Sequence, residues 1–390
     1  MFLSHLESSE TGKSHAGDQL ATVCPDTGRP LIVRYDLDAA GRALSREEYA
    51  SRRGRGLWGL AELLPARNTG EIVSLGEGDT PLLAMPRLAE SVGVGEVWVK
   101  DEGANPTGSF KARGMTVAVT MARELGASAL AVPTAGNAGG ALAAYGSRAG
   151  LPVHIAMPTD VPASNRLEAE ICGAQVELIE GTIADCGKWI GARCRENGWF
   201  DLSTLKEPYR VEGKKTMGYE LARDLAWELP DVILYPTGGG TGLVGMWKAF
   251  AEMRALGWID ESRPLPRMVS VQAAGCAPVV EAFDAGLDEA KPPERPHTVA
   301  SGLRVPGPIG DRWMLRVLRE SRGHALAVTD AELVEATRRV GRLEGLFMAP
   351  EAGALVPALE RLVQAGAVGP EERVVLFNTG TGLKYAECFE

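Results

Sequence analysis

The chain has 390 residues, 45% of them hydrophobic and 24% charged, which is enough for one large or two ordinary domains with a sizeable core that needs no covalent staples. Its net charge of −10, with no long basic block, argues against nucleic acid or an anionic membrane surface as partner. The six cysteines are scattered without a Cys-x-x-Cys pair, and Met1–Leu20 lacks the basic start and apolar run of a signal peptide, so a reduced, cytoplasmic, non-membrane protein is expected.

In chain order, Ser8–Gly12 and Cys24–Leu31 look like two turns of a zinc ribbon. Such a site needs four ligands, and only Cys24 remains in the turns, so a metal-free vestige is expected, with His5 and His15 as surface histidines. Val97–Lys100, Leu130–Pro133, Val153–Met157, Val176–Ile179 and Trp199–Asp201 read as strands, separated by helices closed at Gly126, Gly150, Gly173 and Gly198. This alternation is the grammar of a parallel sheet and predicts an α/β fold. Residues 288–297, rich in proline and charge, form a loop; Thr329-Asp330-Ala331-Glu332 is a capping box opening a helix to about Arg342, and Ala349–Gly353 opens another. No internal repeat is visible.

Polar, glycine-bearing loops leave several of these strands. Asn105–Gly114 places Lys111 at the start of a helix, where the peptide dipoles disfavour a second positive charge; a neutral amine of this kind can form a Schiff base with an aldehyde cofactor. Asn137 sits in the strand-to-helix loop Thr134–Gly140. Gly238, Gly239, Gly240, Thr241 and Gly242 follow the strand-like Val232–Tyr235 and precede a helix, a cradle for phosphate. It is neither a P-loop, since Leu243 follows Gly242, nor a dinucleotide fingerprint, since neither Glu252 nor Asp260 is placed to hold a ribose. Asn378–Lys384 leaves the C-terminal strand Val374–Phe377, at the sheet edge where ligands of open α/β sheets collect.

Together these segments resemble the fold-type II pyridoxal-phosphate (PLP) enzymes, and among them the threonine synthases, over roughly residues 70–385. Ser74–Leu82 is similar to their Gly-Glu-Gly-x-Thr-Pro-Leu segment, Ser109-Phe110-Lys111 to their lysine motif, and Thr379-Gly380-Thr381-Gly382-Leu383-Lys384 to their C-terminal loop. The resemblance implies two α/β domains with PLP between them: 71–114 with 216–390 as the larger, 115–215 as a smaller inserted one, after an N-terminal segment 1–70. It implies that Lys111 bonds PLP, that Asn137 meets the phenolic oxygen, that the Gly238–Gly242 loop takes the phosphate and that Thr379 faces the pyridine nitrogen. It also implies a homodimer. Ser203–Thr216 resembles a substrate loop, which makes Arg210, Lys214 and Lys215, with Arg113 and Thr134, candidate substrate contacts. Three positions depart from the family pattern: Ala112 replaces an acid, and Thr204 and Leu205 replace Asn-Ser.

Two reactions fit this reading. One converts O-phosphohomoserine and water to threonine and phosphate; the other removes the β-hydroxyl of threonine or serine to give a 2-oxo acid and ammonia. A phosphorylated substrate calls for paired cations such as Arg210 with Lys214 or Lys215, and on that ground the first is preferred. A non-catalytic PLP-fold protein would have no need of Lys111.

Overall fold

The computed structural model describes residues 2–390. The larger of its sheets has six strands in the order His324–Val328, Arg267–Ala273, Val232–Pro236, Arg373–Asn378, Glu96–Asp101, Leu82–Ala84. All neighbours are parallel except the last pair, where the short Leu82–Ala84 runs antiparallel along the edge. Alternation along the central strands explains why they are apolar without a break. Ile233, Tyr235, Val375 and Phe377 enter one core, while Val232, Leu234, Val374 and Leu376 enter another on the opposite face. Helices Tyr209–Asp224, Thr241–Ala255 and Asp311–Glu320 cover the first face; Asp330–Glu344 and Leu355–Gln364 cover the second.

A second sheet of four parallel strands has the order Gln175–Ile179, Val153–Pro158, Leu130–Pro133, Phe200–Asp201. Each helix on it ends where the sequence suggests: Gly150 and Gly198 take left-handed backbone at φ of 69° in both, which only a residue without Cβ adopts freely. Thr329 and Glu332 form the expected capping box.

The N-terminus builds a three-stranded antiparallel sheet, Ser14–His15, Leu3–Ser8 and Leu31–Tyr35. The two ribbon-like turns lie between these strands. His15 is half-buried, with Nε2 3.6 Å from Cys24 Sγ, so it is not a free surface histidine. The ligand atoms of His15, Cys24 and Asp26 lie within 4.8 Å of one another, and Asp26 is also paired with Lys13 at 2.7 Å. Burial pushes the Cys24 thiol up, but hydrogen bonds from Thr27 and Ser8 override it and bring it to about 6.

Candidate active site

A cleft opens where the carboxyl ends of both parallel sheets meet, lined by Val132 and Pro133 from one and by Tyr235, Pro236 and Thr379 from the other. It encloses about 890 Å³ of empty space, open solvent included. Lys111 is the first residue of the helix Lys111–Glu124 and lines this cleft. Its loop is bound to the C-terminal loop: Phe110 N–H donates to Thr379 C=O at 3.0 Å, and Thr381 N–H to Gly108 C=O at 2.9 Å. Thr107 and Gly108 both have φ of 60°, which turns the chain sharply enough for this pairing. Burial lowers the Lys111 amino group to about 7; Arg210 and Lys384 add to the effect and Glu351 opposes it.

Asn137, Thr134 and the glycine loop reach the same cleft. Asn137 Nδ2 donates to the Tyr385 hydroxyl at 2.9 Å, and its Oδ1 is buried without a partner. Thr134 Oγ1 donates to the Gly136 carbonyl at 3.0 Å, shaping the turn before Asn137. A Cβ at Gly238 would run into the Gly302 carbonyl, at Gly239 into Thr204, at Gly240 into Met314 and at Gly242 into the Tyr235 ring, so the loop closes only with glycine. Thr241 then starts the helix Thr241–Ala255 at the cleft wall, where its first N–H groups, left without helical partners, suit an anion. Thr379 is 6% exposed and lines the cleft, whereas Thr381 turns away to accept a hydrogen bond from Leu383 N–H at 3.3 Å.

The five substrate-contact candidates separate. Thr134 and Arg210 line the cleft; Arg113, Lys214 and Lys215 do not. Arg210, 1% exposed, donates to the Leu202 carbonyl at 2.6 Å while its Nε has no partner. Lys214 donates to the Phe110 carbonyl from behind the lysine loop. Lys215 points the other way, held at 2.9 Å by both Glu212 and Glu252 beside Lys248. Arg113 is locked in the interior by Glu102 at 2.5 Å, Glu220 at 2.6 Å, Thr80 and Thr216. Helix geometry decides this division: residues one and two positions beyond Lys111 rotate off the cleft, and Ala112 packs fully buried among apolar side chains. Thr204 also reaches the cleft wall, and Leu205, at φ 60°, is buried.

Ser301, Glu351 and Tyr385 line the cleft as well and escape the sequence reading. Ala349–Gly353 is legible only as a helix start, because nothing in its pattern tells that Glu351 turns inward.

The family model for pyridoxal-phosphate dependent enzymes matches residues 73–380. A threonine synthase of Methanocaldococcus jannaschii is 37% identical over 96% of this chain and 91% of its own. One of Methanosarcina acetivorans is 38% identical over 97% and 92%. Among solved structures, maize serine racemase matches with a TM-score of 0.67 at 20% identity, covering 78% of this chain and 88% of its own, a likeness of fold.

Proposed function

The chain belongs to the family of pyridoxal-phosphate-dependent enzymes, and we propose that it is a lyase converting O-phosphohomoserine and water to L-threonine and phosphate. The cleft suits that cofactor: a buried Asn137 Oδ1 lacks a partner, a glycine loop leaves room at a helix N-terminus, and an amine near its neutral form stands beside them. When bound, the group supplies an electron-withdrawing ring that stabilises negative charge at the substrate α-carbon.

In this reading Lys111 holds the cofactor and, once its amino group is free, takes protons from the substrate carbons and returns them. A value of about 7 lets it do both at neutral pH. Asn137 would meet the cofactor's phenolic oxygen, Thr134 holds the amino-acid end of the substrate, and Thr379 presents a neutral hydroxyl to the ring nitrogen. Arg210 anchors the substrate phosphate until that group leaves with the C–O bonding pair; a water then supplies a hydroxyl and a proton. The observation that carries the phosphate assignment is the unpartnered Nε of a buried arginine on the same cleft as Lys111. Lys214 and Lys215, turned inward, have no part in it.

The same reading takes 115–215 as the smaller domain, inserted between 71–114 and 216–390 after the N-terminal segment 1–70. It also takes the protein to be a cytoplasmic homodimer; all six cysteines are free thiols, as suits a reducing compartment. No helix among the described residues is long and apolar enough to cross a membrane. The deciding experiment supplies O-phosphohomoserine, threonine and serine separately. Equal amounts of phosphate and threonine from the first are expected, and 2-oxobutanoate from threonine with no phosphate release would replace this reading with the dehydratase.

A further inference from the structure

Glu351 is the sole carboxylate among the described residues that line the cleft. It stands on the short helix Pro350–Gly353, and the residue before that helix is tied to the C-terminal loop: Ala349 N–H donates to the Gly380 carbonyl at 3.0 Å and to Asn378 Oδ1 at 3.2 Å. Glu351 is therefore fixed in place and only 4% exposed. Its Oε1 accepts the Gly302 N–H at 2.8 Å, and its Oε2 is buried with no partner. A buried carboxylate oxygen left alone is costly, and such an oxygen on a cleft wall calls for a proton or a cation from within the cleft.

The cation is at hand. The charged and titratable groups around Lys111 are Arg210 and Lys214 from the helix Tyr209–Asp224, Lys384 from the C-terminal segment and Glu351. Only the last favours the ammonium. Those around Glu351 are Lys111, the Tyr385 hydroxyl and the Cys388 thiol; burial pushes the Glu351 carboxyl up, against the pull of Lys111 and Tyr385.

We propose that Glu351 is the counter-ion of Lys111 within the cleft, its carboxylate offsetting the ammonium whenever that amino group is free. This rests on Lys111 being the cofactor-bearing lysine. Lys111 thus works on the substrate with its counter-charge already inside the cleft, where water would otherwise have to supply it. Glu351 acts through Lys111 and is a positioning residue.

The test is competitive acylation of Lys111 with acetic anhydride on the full chain freed of cofactor, read by peptide mass against pH. The wild-type midpoint is expected near pH 7. Glu351→Gln should move it to lower pH by roughly one pH unit, because the group that favours the ammonium is gone. Glu351→Asp, its carboxyl withdrawn by one methylene, should move it the same way by less. The acid limb of kcat in the holoenzyme should follow both. A midpoint that stays put or rises in Glu351→Gln overturns the proposal; should that variant fail to fold, an unmoved midpoint in Glu351→Asp does so. Borohydride fixation of the cofactor checks the premise separately. A cofactor fixed elsewhere than Lys111 removes the premise, while a cofactor on Lys111 whose titration ignores residue 351 removes this inference alone.

Discussion

The amino groups of Lys111 and Lys214 lie 4.0 and 4.1 Å from the centroid of the same Phe110 ring, yet only Lys111 opens on the cleft. Lys214 is 0% exposed, and burial first, then its charged neighbours Lys111 and Arg210, hold its amino group well below the ordinary lysine range. It props the carbonyl just ahead of the reactive lysine and is kept from substrate. Lys214→Met, which retains the stem, should leave kcat/KM for O-phosphohomoserine close to wild type. A lysine bound to the phosphate would on removal cost roughly 1.5–3 kcal/mol, at least about ten-fold.

Arg210 should behave in the opposite way. Arg210→Ala is expected to lower kcat/KM for O-phosphohomoserine by about ten- to over a hundred-fold, the loss of one charge-assisted contact. Slow deamination of serine, which carries no phosphate, should change much less. Equal losses with both substrates would mean that Arg210 serves only the Leu202 turn to which it is bonded.

Lys215→Ala should act on stability. It removes one of two cations facing Glu212 and Glu252, leaving Lys248 alone with both carboxylates. Breaking a buried cluster in this way costs about 3–5 kcal/mol, readable as a lower urea midpoint. The selectivity between phosphorylated and plain substrates should stay as it is.

The same cluster sets an acid limit. Burial pushes Glu252 up, but Lys215 and Lys248 outweigh it and hold the carboxyl below its ordinary 4.5. The unfolded chain then binds protons first, so the stabilisation is whole above pH 4.5 and fades as pH falls below it. Thermal unfolding followed downward through this window should show the midpoint dropping in the wild type and dropping less steeply in Lys215→Met.

Thr379 offers a hydroxyl that neither gives up nor demands a full charge at neutral pH. Thr379→Ser should keep activity, and Thr379→Asp should remove most of it by forcing a proton onto the ring nitrogen. Thr381→Ala, which loses the cap on Leu383, should lower stability by about 1 kcal/mol and leave turnover largely intact. Turnover lost in Thr381→Ala but kept in Thr379→Ala would reverse the two roles.

The sequence displays the strands that are apolar on both faces and the loops that leave them, because period and glycine content are local properties. Leu130–Pro133 and Val232–Pro236 are legible for that reason. Arg267–Ala273 and His324–Val328 are not, since Ser270 and Gln272 interrupt one and its half-buried edge position dilutes the other. At the site, loop residues such as Lys111, Asn137 and Thr379 announce themselves through their turns. Lys215 misleads because its charge looks available until Glu252, on another helix, is brought against it. Glu351 is silent because its meaning depends on Gly302 and Tyr385, far away in the chain.

The pairing of the lysine loop with the C-terminal loop sets a timetable for the molecule. Lys384 Nζ donates to the Thr107 carbonyl at 2.8 Å across 277 residues of chain, and Phe110 and Gly108 are bonded to the same late segment. During synthesis the lysine emerges early, but the stretch that seats it, 379–384, follows only after every strand of the two parallel sheets has been made. A nascent chain that stops short of this stretch has no seat for its reactive amine. A chain that lacks 379–384 therefore has the reactive lysine without the partners that fix its loop, however complete the rest of the interior.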